Sequence, residues 1–387
     1  MGSAEVVSDL PSSCPRDARA DGPFSGGLLF TAIGLLFQVC LRFTQVVIIA
    51  GWRGILSEFG RYALKGMGFY ATVFGRYSFA MAIRKLPCYE NYDIRGRQKM
   101  TKLRATAIGF IAVLLWSLLA LFTVGSSPIP PLQLNAMCFG IGGVIGLVWV
   151  VLTGDIKQLK STGWKVYAFG TVGLFGYHLL YFSALRMAPA AEAGLIAYLW
   201  PLLIVLFSGL LPGETLKNGH IFGALISFTG AALIVAKGGS GFQISAIFGY
   251  VLALMAALTW AGYSVLSRRL GKTPTSSVAV FCIATAILSL VAHIGLEQTV
   301  WPSGKIQWLS VIGLGLGPVG LAFYVWDVGV KHGDIQLLGV ASYAAPLLST
   351  LALILAGIAQ ASWPLLGAAI LITCGALLAA RASAQPK

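Results

Sequence analysis

From Met100 onward, apolar stretches of membrane-crossing length alternate with short polar connectors. About 20 apolar residues in helical form cross the hydrocarbon core of a bilayer, and lipid demands that every backbone polar group be satisfied within the protein. The pattern predicts ten transmembrane helices, near 104–124, 131–153, 166–186, 190–211, 219–237, 245–267, 275–296, 306–328, 335–357 and 362–381. Residues 1–99 break it. One apolar run lies near Pro23 to Leu41, and beyond it a charge interrupts every eight or so residues, so no second span fits. This part reads as an upstream extension with a non-native start or poor order; an eleventh helix over the apolar run is the other reading.

The stretch AYLWPLL, from Ala197, returns as SYAAPLL, from Ser342. Tyr198 and Pro201 match Tyr343 and Pro346 at an offset of 145, while Ala112, Leu114 and Trp116 match Ala256, Leu258 and Trp260 at 144. Met100 to Lys387 is 288 residues, twice the smaller offset. The expectation is an all-α membrane protein built as a 5+5 repeat, with units 100–240 and 241–387. Because five is odd, the second unit lies inverted, an arrangement of secondary transporters with a midplane site between the halves. Pro201 and Pro346 cannot donate to the carbonyls of Ala197 and Ser342, which makes them candidate hinges. Tyr198 and Trp200 stand about 200° apart on an ideal helix. Both rings reach one cavity only if the chain turns at the proline.

Composition removes other classes. The 387 residues are 57% hydrophobic and 10% charged, against about 25% charged for soluble domains. The net charge of +14 suggests nucleic acid, but Lys and Arg sit in the connectors, a topological pattern. With the first span starting in the cytoplasm, 12 of the 15 basic residues after Met100 fall inside, Lys237, Lys305 and Arg186 being the exceptions. Both core termini are then cytoplasmic. The six cysteines show no metal-ligand spacing, and no HExxH, P-loop, GxSxG or paired carboxylates are present. Neither an enzyme, nor a cofactor, nor a metal site is implied, and the start does not read as a secretory signal.

Ionisable groups within spans are functional candidates by default. His178 lies midway along the third span and His293 near the end of the seventh. Glu192 and Asp327 lie near the ends of the fourth and eighth, where a capping role competes with a coupling role. His178, Glu192 and Asp327 are the coupling candidates. Mid-span aromatics offer a substrate site: Trp116, Tyr177, Tyr181, Tyr198, Trp200, Trp260, Tyr263, Tyr324, Trp326 and Tyr343, together with His178. Span-end rings such as Trp164 and Trp308 fit an interface belt instead. Amphipathic rings at mid-depth suit a partly aromatic, zwitterionic or cationic solute.

The segments KLRATAIGFIAVLLWS from Lys102, IAYLWPLLIVLF from Ile196, VWDVGVKHGD from Val325 and ASYAAPLLST from Ala341 resemble the YddG-type aromatic amino acid exporters of the drug/metabolite transporter, EamA-like, superfamily. The resemblance covers essentially Met100 to Lys387. It implies a multi-pass inner-membrane exporter of aromatic and other neutral amino acids working by alternating access, with cationic aromatic drugs as the alternative cargo. The partners expected are the amino acid and the lipid bilayer, with no nucleic acid, and a monomer is the expected working unit. Carried over, the central cavity includes Trp116, Tyr177, Tyr181, Tyr198, Trp200 and Trp260. His178 stands where some relatives carry an acid, and Asp327 where they carry Asn.

Overall fold

The computed structural model describes residues 100–235, 241–270, 273–360 and 362–385. The 1–99 extension, Lys237, Lys272 and Lys387 lie outside the described residues. Among those described, ten helices are long and apolar enough to cross a membrane, and no strand occurs. They are Lys102–Gly125 (α1), Pro131–Thr153 (α2), Trp164–Met187 (α3), Ala190–Ser208 (α4), Asn218–Val235 (α5), Ile244–Arg269 (α6), Ser277–Leu296 (α7), Lys305–His332 (α8), Ile335–Leu355 (α9) and Trp363–Ala384 (α10).

Local chemistry sets several ends. Pro131 opens α2, where its missing N–H is no loss, and Gly154, at φ 75°, closes it in the left-handed region. Asp334 caps α9 by accepting the Leu337 N–H at 3.0 Å. The expected fourth span ran to residue 211, but helical geometry ends at Ser208 and tight turns carry the chain through Leu211.

The most extensive packing joins α5 to α10, α2 to α7, α1 to α8 and α3 to α6. Exchanging each helix for the one five places on maps this set onto itself. Absent side chains permit the closest approaches: a Cβ on Gly109 of α1 would stand 2.8 Å from the Cα of Gly329 in α8. On α5, a Cβ at Gly223 would stand 2.6 Å from the carbonyl oxygen of Gly375 in α10. Such glycine contacts are a membrane device, since lipid gives no hydrophobic drive for helices to associate.

Irregularities also come in pairs. π-Helical turns occupy Val172–Gly176 in α3 and Gly317–Leu321 in α8, 145 residues apart. α4 divides into Ala190–Ala197 and Trp200–Ser208, and α9 into Ile335–Ala341 and Ala344–Leu355. Both divisions fall just before the prolines.

Candidate functional site

The break in α4 arises because Pro201 lacks an N–H, and the chain tightens at Tyr198, where ψ is 3°. Leu199 bonds back to Ile196 in a tighter turn at 3.1 Å. As a result Tyr198 and Trp200, which an ideal helix would set on different sides, bring their rings within 6.5 Å.

Trp200 thereby joins a cluster centred on Trp116. The Trp116 ring lies 5.1 Å from Trp326 and 5.9 Å from both Trp200 and Trp260. These four indoles come from α1, α4, α6 and α8. Tyr177 of α3 lies 5.5 Å from Trp260, and Tyr263 5.4 Å from it. Tyr181 stacks on Tyr177 with planes 2° apart at 5.9 Å, and His178 meets Tyr177 edge-on at 5.1 Å. Trp116 meets Trp200 and Trp260 edge-to-face, as His178 meets Tyr177, the geometry in which aromatic quadrupoles attract; the other contacts are tilted or stacked.

Three of the polar handles are committed. Trp326 donates its indole N–H to the Ser264 hydroxyl at 3.1 Å. Trp116 donates to the carbonyl of Pro318, in the π-helical turn of α8, also at 3.1 Å. His178 Nδ1 lies 2.7 Å from the Leu174 carbonyl. A carbonyl only accepts, so Nδ1 carries a proton and Nε2 is the nitrogen left for a solute.

Two residues of the expected set stand apart from the cluster. The Tyr324 hydroxyl donates to the Gly142 carbonyl at 3.0 Å and its ring faces Trp149, toward α2. Tyr343 packs on Phe228 in a second apolar cluster between α4, α5, α9 and α10. Phe139 and Phe323 were missed; they stack at 5.2 Å and each contacts His178. Phenylalanine is so common in these spans that only its position beside Tyr324 and Trp326 could have marked Phe323.

The coupling candidates separate by environment. Asp327 is buried and paired with Lys331 at 2.8 Å, and accepts from Thr275 at 2.7 Å. Glu192, only 5% exposed, has no hydrogen-bond partner for either carboxyl oxygen among the described residues. His293 points away from the aromatic cluster, with Nδ1 3.0 Å from Glu297. Glu297 was not anticipated. Its carboxylate also takes the Leu132 and Gln133 N–H groups at 3.1 Å and pairs with Arg186, tying α2 and α3 to the end of α7.

No group of three or more potential metal ligands occurs among the described residues. The EamA-like transporter family model matches residues 103–236 and again 247–381. The aromatic amino acid exporter YddG of Ancylobacter novellus is 51% identical over 282 residues, covering 72% of this chain and 98% of that protein. The YddG exporter of Salmonella typhimurium is 26% identical over 292 residues, covering 72% and 97%. A crystal structure of a 51% identical protein superposes with a TM-score of 0.70, covering 73% of this chain and 99% of that one. With two stretches of family sequence and ten membrane-length helices, the chain belongs to the EamA-like transporter family and is a multi-pass transporter of the bacterial inner membrane, akin to the YddG exporters.

Proposed function

We propose that the protein exports aromatic and other neutral amino acids by alternating access, as two inverted five-helix units rocking about the tryptophan cluster. The observation that carries this reading is the convergence of Trp116, Trp200, Trp260 and Trp326 from four spans of both units. It is supported by the packing set that survives exchange of the units, and by relatives whose names state aromatic amino acid export. Indole and phenol faces hold the solute ring by stacking and attract its ammonium by cation–π contact. His178 Nε2 and the hydroxyls of Tyr177, Tyr181 and Tyr198 meet its polar end. Tyr263 and Trp326 form the inner wall, and the breaks at Pro201 and Pro346 let the halves of α4 and α9 tilt separately. The monomer is the working unit, with 12 basic side chains on the cytoplasmic side.

The test is flux in reconstituted liposomes. Purified protein should carry Trp, Phe, Thr or Met down a gradient, and Trp260→Ala should lose most of that flux. No transport above protein-free vesicles would sink the assignment.

A second reading rests on Glu192. A buried carboxyl without a hydrogen-bond partner among the described residues suits a cation, as an exporter of cationic aromatic compounds would need. Competition by a planar aromatic dication that disappears in Glu192→Gln would favour it.

A further inference from the structure

The two Tyr-x-x-Pro-Leu-Leu segments are alike in sequence and unlike in contact. Tyr343 of α9 is fully enclosed, at 0% exposure, and its hydroxyl accepts the backbone N–H of Leu202 in α4 at 3.0 Å. Leu202 sits in the first turn after the α4 break, where a helix leaves its N–H groups without carbonyl partners. The hydroxyl supplies the missing acceptor from the other unit of the chain. An offset of 145 turns this pair into Tyr198 and Leu347. Among the described residues no hydrogen bond joins those two; Tyr198 is half-buried, with its ring beside Trp200. One cap of the pair is made and its image is open.

We propose that the two caps are alternatives. The Tyr343 hydroxyl holds the α4 break in the conformation of this structure, and the Tyr198 hydroxyl holds the α9 break at Leu347 in the oppositely facing one. The inference rests on the inverted-repeat reading above. If two units exchange conformations during transport, any contact made once between them has its image in the other state. Trading one phenol-to-amide bond for an equivalent one keeps the two states close in free energy, which a transporter needs if it is to populate both. It also places the exchange at the tyrosines, about one turn before each proline, where each α-helix is already divided in two. The Tyr198 ring, unlike that of Tyr343, borders the aromatic cluster, so a solute seated there would bear on the side whose cap is open.

Hydrogen exchange read by mass spectrometry on the whole protein in lipid nanodiscs tests this, using wild type, Tyr343→Phe, Tyr198→Phe and the double variant. The readouts are the two ends of the molecule: peptides around Leu132 and Glu297 at one, and around Lys102 and Asp334 at the other. Losing one cap should shift the balance of states about fivefold, the worth of one such hydrogen bond. Tyr343→Phe should quicken exchange at one end and slow it at the other. Tyr198→Phe should do the reverse, and the double variant should return toward wild type. Tyr198 has no cap to lose in this conformation, so it decides the matter even if Tyr343→Phe fails to fold. Shifts of the same sign in both variants, or no shift in Tyr198→Phe, overturn the proposal. Amino acid flux measured on the same wild-type preparation separates the outcomes, because absent flux sinks the substrate assignment while leaving the opposed shifts to be read on their own.

Discussion

The indole N–H of Trp116 donates to the carbonyl of Pro318 across 3.1 Å, which fastens the centre of the aromatic cluster to the π-helical turn of α8. A π-helical turn leaves a carbonyl out of the regular ladder, and in lipid surroundings that group needs a partner. Trp116→Phe keeps a ring and deletes the donor. The expected result is a loss of about 1 kcal/mol, in the range of interhelical hydrogen bonds in membranes, seen as a lower melting temperature in detergent. An unchanged melting temperature would mean that the Pro318 carbonyl finds another donor.

The contact of Gly109 with Gly329 sets the spacing of α1 and α8, and so of Trp116 and Trp326. A Cβ on Gly329 would stand 2.5 Å from the Gly109 Cα, nearer than any real Cβ contact. Backbone cannot yield as a flexible side chain can, so Gly329→Ala should destabilise by about 1–3 kcal/mol and widen the cluster. Gly140→Ala in α2, where a Cβ meets nothing within 4 Å, is the control and should be tolerated. Equal effects of the two substitutions would show that helix propensity, not packing, decides.

The spans were legible because lipid makes apolar length the dominant signal: all ten segments lie where hydropathy puts them, with ends shifted by a few residues. The doubled Tyr-x-x-Pro segment foretold the breaks in α4 and α9, since the missing N–H is a local matter. It did not tell that Tyr343 would stand apart from the aromatic cluster and accept from Leu202, because that contact depends on how α9 packs against α4. Tyr324 also eluded the sequence. Its neighbour Trp326 shares the mid-span address, yet residues two apart on a helix face different ways, and Tyr324 finds the Gly142 carbonyl in α2. Glu297 was hidden by its place in a connector, where an acid ordinarily reads as solvated. Only the fold brings the start of α2, the end of α3 and His293 to it.

Asp334, in the connector between α8 and α9, gives a pH signature. Burial alone would raise its pKa, but the Leu337 N–H and the Lys102 ammonium, 3.0 Å away, outweigh that and hold the carboxyl below its ordinary 3.8. A folded-state pKa that is depressed contributes stability above the unfolded pKa, and this is lost as pH falls through the folded value. Wild type should therefore melt higher than Asp334→Ala at neutral pH, by about 0.5–2 kcal/mol for a lost N-cap. The gap should close below pH about 3.8. Lys102 is half exposed, so most of the effect belongs to the cap and should survive added salt.

His178 and Glu192 predict different things for a proton gradient. His178 is lodged among Phe139, Phe182, Phe323 and Tyr177, with no carboxylate paired to it among the described residues. Its substitution by alanine should change which solutes are carried and leave any response to a pH gradient in place. Glu192 is buried with no hydrogen-bond partner for either carboxyl oxygen among the described residues, and an ionisable group so placed within a span is a functional candidate. Glu192→Gln, which keeps the shape, should abolish the response while net exchange continues. Liposome flux with and without an imposed gradient reads both; if wild type is indifferent to the gradient, facilitated diffusion is the mechanism and neither residue couples it.

Glu297 and Arg186 form one ion pair, yet their removal should not be equivalent. The Glu297 side chain is 2% exposed, while that of Arg186 is 45% exposed. Arg186→Ala leaves a carboxylate that still accepts from His293 and from the Leu132 and Gln133 amides, so its charge stays solvated by the fold. The half-exposed arginine of Glu297→Ala can turn to water, but two amides at the start of α2 and the His293 ring then lose their acceptor inside the protein. Unmet buried donors are worth about 1–3 kcal/mol each, against about 1 kcal/mol or less for a half-exposed ion pair. Glu297→Ala should therefore lower the melting temperature much more than Arg186→Ala, with the double variant close to Glu297→Ala alone. If instead Arg186→Ala proves the more damaging, the ion pair and not the cap of α2 holds this end together.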